Sequence, residues 1–235
     1  MEELLNFAKG PFFRFAFAVM ALGLIRALVL SIINGAEAKG KASDKQIPGA
    51  YVKKMTLGYV LPIRSFRTKP VYSVVSILFH IGLLLTPLLL FDHALLFDRS
   101  SGISWVGISL PKNIADILTM LTIAMGIVLL IMRASNKASR FISRKQDFAW
   151  PLLLLAPFVT GFICANASVT PGAYNFFMLV HIIGGNIIFI LIPFTKIAHC
   201  VLLPLGQWIT ARSWKFYPQG PANVEKILGK EGQKL

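Results

Sequence analysis

Residues 174–203 read YNFFMLVHIIGGNIIFILIPFTKIAHCVLL, thirty residues in which the one charged side chain is Lys196. A hydrocarbon core of about 30 Å is crossed by roughly 20 helical residues, so this stretch is long and apolar enough to span a membrane. It also holds His181 and His199, two of the four histidines in the chain.

Comparable apolar runs recur upstream. We place spans at 13–33, 71–96, 114–132, 150–167 and 174–203. Each must be a helix, because backbone amides in lipid have to be satisfied within their own segment. Composition agrees: 55% of the 235 residues are hydrophobic and 14% are charged, against about a quarter charged in soluble domains. The expected fold is an all-α integral membrane protein with five transmembrane helices, organised as a membrane domain over 1–203 and a basic tail over 204–235. Neither a repeat nor a loop long enough for a second domain interrupts this pattern.

The formal charge is +14, which in a soluble protein would suggest nucleic acid. Here the basic residues lie between spans, where they set topology and meet anionic headgroups, so no nucleic-acid partner is expected. Segment 34–70 carries Lys39, Lys41, Lys45, Lys53, Lys54, Arg64, Arg67 and Lys69 against Glu37 and Asp44. Segment 133–149 carries Arg133, Lys137, Arg140, Arg144 and Lys145 against Asp147, and the tail is also basic. The 97–112 connection is nearly balanced and 168–173 is uncharged. The positive-inside rule then predicts an outside N-terminus and a cytoplasmic C-terminus, in a prokaryotic inner membrane. Glu2 and Glu3 precede the first span and no small-residue cleavage site follows it, unlike a removed signal peptide.

Cys164 and Cys200 fall at opposite faces on this topology, so no disulfide is expected between them. Neither CxxC nor CxxCH occurs, which excludes an iron–sulfur cluster held by this chain alone and covalent c-type heme.

His80 and His93 lie on the second span, His181 and His199 on the fifth. Histidine in a membrane helix is costly without a partner and points to function. With the N-terminus outside, depth pairs His93 with His181 and His80 with His199. Each pair could offer two neutral imidazoles to one iron, an electron-transfer rather than an oxygen-binding arrangement. Eighteen residues of ideal helix return to the same face after ~27 Å, which suits His181 and His199. Thirteen residues leave His80 and His93 roughly 140° apart over ~20 Å. Pro87 between them, like Pro193 between the other two, could bend the helix and correct the mismatch.

Gly82, Gly184 and Gly185 remove side chains where a flat macrocycle would approach, although small residues also serve plain helix packing. Lys196 and Arg26 could pair with heme propionates or snorkel to headgroups. The outer ends of spans two and three bring Asp92, His93, Lys112, Asn113 and Asp116 to a similar depth. Lys112, Asp116 and Asp92 there could exchange protons with a bound molecule, although ordinary interface charges would look the same.

HIIGGNIIFILIPFTKIAH (181–199) resembles the last helix of the membrane cytochrome b (gamma) subunit of respiratory nitrate reductases, with its PF-[ST]-[KR]-x-x-H ending. FHIGLLLTPLLLFDH (79–93) looks even more like the related subunits of transmembrane redox complexes in sulfate-reducing bacteria and other anaerobes. The thirteen-residue spacing departs from the nitrate reductase subunit and favours the sulfate-reducer type. The resemblance implies two heme b groups ligated by His80, His93, His181 and His199. It also implies electron exchange with menaquinone or another quinone; a quinol needs a hydrogen-bond partner and a proton acceptor, which makes Lys112, Asp116 and Asp92 a candidate quinone site, with a lysine of the relatives near the place of Lys112. Its implied partners are a cytoplasmic iron–sulfur subunit, a periplasmic multiheme cytochrome c and another quinone-reactive membrane subunit. The tail, with Trp208, Trp214, Phe216 and Tyr217, would dock the cytoplasmic partner or anchor in the interface. Two readings from other classes stay open: a heme-free membrane anchor or assembly subunit, and a small transporter using the histidines as a proton relay.

Overall fold

A computed structural model of the chain describes residues 1–41, 47–60, 63–102, 104, 106–213 and 219–233. Trp214, Phe216 and Tyr217 of the expected docking tail lie outside the described residues. Every long element is a helix. Helix α1 (Glu2–Phe7) runs through a π-turn (Ala8–Phe12) into α2 (Phe13–Lys41). Then come α3 (Gly49–Val60), α4 (Ile63–Thr68), α5 (Pro70–Leu89), α6 (Phe91–Ser101), α7 (Lys112–Ser135) and α8 (Lys137–Ile142). The chain continues through α9 (Gln146–Asn166), α10 (Pro171–Leu191), α11 (His199–Ser213) and α12 (Gly220–Ile227).

Five helical segments are long and apolar enough to cross a membrane: Glu2–Glu37, Pro70–Leu89, Lys112–Ser135, Gln146–Asn166 and Pro171–Phe194. At 1.5 Å per residue even the shortest reaches about 30 Å. Their side chains are arranged inside out. Ser73, Thr86, Thr119, Thr122, Thr160 and Asn186 are buried, whereas Leu22, Ile117 and Leu152 stand exposed. In water that arrangement would leave large apolar surfaces uncovered; in lipid, small and polar residues belong at helix contacts. The protein is a multi-pass membrane protein.

The observed elements correct several expectations. The second span is not one helix over 71–96. It divides at Leu90, where ψ opens to 130°, and His93 belongs to the separate helix α6. The fifth is not continuous over 174–203 either. It passes from α10 through two 3₁₀ turns, Ile192–Phe194 and Lys196–Ala198, before α11 begins at His199. The same-face relation of His181 and His199 on an ideal helix therefore does not apply. The first helix starts well before residue 13, and the 34–70 connection contains α3 and α4.

The chain forms two compact units. One comprises Met1–Val19 and Thr68–Ile190, the other Met20–Arg67 and Leu191–Leu235. In the first unit α5 meets α7 at Gly82. A methyl added there would collide with Thr122 Oγ1 and come within 2.9 Å of the Leu118 carbonyl. Gly82 thus serves helix contact, with α7 against its open side. Gly126 does the same for α7 against Leu155 of α9 and Phe79 of α5, with added-methyl distances of 2.8 and 3.0 Å. Phe13, Phe97 and Phe189 gather at centroid separations of 5.5 to 6.3 Å. Buried Asn186 donates to the Ala8 carbonyl at 2.9 Å, joining α10 to the π-turn. In the second unit α3 packs on α11, and Gly35 of α2 meets Ile209 and Trp208.

Candidate functional site

The break at Leu90 is where the first unit builds its most specific site. A helix end leaves its last carbonyls without intrahelical donors. Here Thr86 O accepts from Leu90 N at 3.0 Å and Leu89 O from Leu110 N at 2.7 Å. The Pro87 carbonyl instead accepts from the imidazole of His93, Nδ1 to oxygen 3.1 Å. The residue after the break is thereby folded back onto the helix before it.

His181 approaches from α10, and the two rings lie with centroids 5.7 Å apart and planes 22° from parallel. The expected pairing of His93 with His181 is a contact in the structure. His181 Nδ1 lies 2.8 Å from the carbonyl of Pro157 on α9, which also receives Thr160 Oγ1 at 3.3 Å. Gly161 makes the room: an added methyl would stand 2.8 Å from His181 Cε1 and 2.9 Å from its Nδ1. Gly184 and Gly185 keep open sides, with no atom nearer than 3.5 Å to a methyl at Gly184 and none within 4 Å at Gly185.

His80, on α5 in the same unit, has Nδ1 2.6 Å from the Ser76 carbonyl, one turn back. In the second unit the exposed His199 has Nδ1 2.6 Å from the Lys196 carbonyl. Lys196, expected to meet a propionate, thus also orients His199 through its backbone. Arg26 is exposed on α2.

All four histidines therefore place Nδ1 against a backbone carbonyl. A carbonyl only accepts, so Nδ1 is the donor in each of these contacts. Metal-bound imidazoles are commonly oriented in this way. Among the described residues no three His, Cys, Asp or Glu side chains converge as an ion site.

A polar cluster stands at the start of α7. Lys112 Nζ contacts Asp116 Oδ2 and Asn166 Oδ1, both at 2.6 Å, and Asn166 Nδ2 donates to Asp116 Oδ1 at 3.1 Å. Leu90 and Leu110 pair as a parallel bridge, so this cluster begins two residues beyond the strand-like contact and His93 three residues beyond it. Lys112 and Asp116 are brought together. Asp92 and Asn113 are exposed, and no hydrogen bond or ion pair joins either to the cluster among the described residues.

Sequence reasoning missed Gly161, the Pro157 carbonyl and Asn166. A glycine and a proline inside an apolar helix carry no mark of the ring they serve twenty residues later. Asn166 stood at a span end with no charged neighbour to draw notice.

No known protein family matches the sequence, and no solved structure matches it either. A protein of Nitratidesulfovibrio vulgaris (strain Hildenborough), whose name assigns it no activity, is 36% identical over 143 residues. The match takes in 61% of this chain and 61% of that relative, so the chain spans under two thirds of the relative's length. This multi-pass membrane protein is thus related to a bacterial protein whose name states no function.

Proposed function

We propose that the protein is a diheme b-type cytochrome subunit of a quinone-linked membrane redox complex. The observation that carries the reading is the His93–His181 pair, with both Nδ1 atoms on carbonyls and the rings 5.7 Å apart. Imidazole nitrogen binds a first-row metal at about 2 Å, so His93 and His181 at this separation would be the residues to hold one iron. Two protein donors are too few for an isolated ion, whereas a macrocycle brings four of its own. His80 and His199 are the remaining candidate ligands by the depth argument from the sequence, and the Nδ1 contact of each suits that role.

Heme, when bound, supplies one-electron transfer. The chain's part is to hold the imidazoles: each Nδ1–H···O=C bond fixes ring rotation and raises the basicity of Nε2. Gly161 keeps the His181 ring from being pushed aside. The Asp116 carboxylate, held by Lys112 and Asn166, is the proton acceptor we assign to a quinol such as menaquinol, with Lys112 a donor to its oxygen. The charge pattern favours an outside N-terminus, which would turn this end toward the exterior. An iron–sulfur subunit on the cytoplasmic side, and a multiheme cytochrome c or a second quinone-reactive subunit, complete the electron path in this reading.

The test is a reduced-minus-oxidised spectrum of the purified full chain with a pyridine hemochrome count. A b-type α-band with two hemes per chain is expected; its absence overturns the reading. Alanine at each histidine in turn should remove one heme, His93 grouping with His181 and His80 with His199.

A further inference from the structure

The second unit contains a cleft of about 650 Å³ lined by Ile32 and Ala36 of α2, Thr56 of α3, and Leu205 and Trp208 of α11. Lys39, exposed on α2, adds the one charge in that lining. The volume falls within the range of ligand sites, about 300–1,000 Å³. Its walls are chiefly hydrocarbon, and one polar atom in them is unsatisfied: Thr56 Oγ1 is buried with no hydrogen-bond partner. A buried hydroxyl without a partner is unfavourable; it is closed off from the cleft, and rotation of the Thr56 side chain would bring it to a ligand oxygen and remove that penalty.

Charge narrows the occupant. The segments Met20–Arg67 and Leu191–Leu235 carry fourteen Lys and Arg against four Asp and Glu. The rest of the chain carries ten against six. The cleft thus belongs to the strongly basic unit, where an anionic ligand with a long apolar part is favoured over a neutral one. Trp208 suits the boundary between chain and headgroup, having an apolar ring and a donor N–H.

We infer that this cleft is a specific site for one anionic phospholipid. Its acyl chain lies along Ile32, Ala36 and Leu205, its phosphate faces Lys39, and an oxygen of its headgroup or ester accepts from Thr56. The site is independent of the histidines, so it stands whether or not heme is bound.

The test uses the purified full chain in micelles holding equal amounts of phosphatidylglycerol and phosphatidylcholine, with retained lipid counted by native mass spectrometry. Wild type should keep one phosphatidylglycerol in preference to phosphatidylcholine. Lys39→Gln should weaken that retention roughly fivefold, and Ala36→Phe, which fills the cleft, should abolish it. Circular dichroism melts establish that each variant is folded; Lys39 is exposed, so its variant carries the test alone if Ala36→Phe does not fold. Equal retention of both lipids by wild type overturns the proposal. So does retention unchanged in folded Lys39→Gln, or displacement of the lipid by a short-chain naphthoquinone, which would make this a quinone cleft.

Discussion

Each histidine-bearing span is interrupted between its two histidines, and the interruptions are built from different materials. Between His80 and His93 the helix passes Pro87 undisturbed and stops at Leu90. There Leu110, from beyond α6, supplies the N–H that the Leu89 carbonyl needs. Between His181 and His199 the parts are local. Pro193 sits in the first 3₁₀ turn, Thr195 is extended at φ −130° and ψ 179°, and its side chain caps the Ile197 N–H. The histidine beyond the first break reaches back six residues to Pro87; the one beyond the second bonds a carbonyl three residues away. Proline alone does not decide where a helix ends, since Pro151 and Pro157 also lie inside α9 without stopping it. A break persists where the freed carbonyls find donors.

The largest expected effect comes from cutting the first break at its ring. In His93→Ala the Pro87 carbonyl loses its donor and His181 loses its neighbour. On the proposed diheme reading one heme of two would be lost; in the protein without heme we expect a larger fall in thermal stability than for His199→Ala. Equal falls would erase the distinction between a tertiary and a local break.

Gly161→Val should come next. Even a methyl at Gly161 approaches His181 to 2.8 Å, and overfilling a packed site costs about 1–3 kcal/mol. The same heme should be lost as in His181→Ala, read from the α-band amplitude. Gly184→Ala, where the nearest atom is 3.5 Å away, should leave the helices as stable as wild type.

Leu110→Pro removes the N–H that reaches the Leu89 carbonyl. Leaving this half-buried acceptor unpaired costs up to about 1–3 kcal/mol, so the melting temperature should fall while the His199 environment is unchanged. The smallest effect is expected from Thr195→Ala, which deletes a cap of about 1 kcal/mol. It should destabilise the second interruption alone. If Leu110→Pro proved harmless and Thr195→Ala severe, the assignment of the two breaks would be reversed.

Hydropathy and length determined the five spans, because a lipid core imposes one length and one backbone solution on any chain that crosses it. The ends of α7 and α9 fall within four residues of the expected limits for the same reason. The sequence also singled out the histidines, since an imidazole in an apolar run stands out without any knowledge of its neighbours. Tertiary structure alone decided how they are aimed. Thirteen residues of helix could not bring His93 to the face of His80, and a bend at Pro87 was the remedy visible in the sequence. The structure instead ends the helix at Leu90, held by Leu110 from another segment, and turns His93 to His181, which Gly161 and Pro157 of α9 seat. A hydrogen bond between groups twenty residues apart leaves no periodicity to read, because any residue can supply a backbone carbonyl or N–H other than proline's.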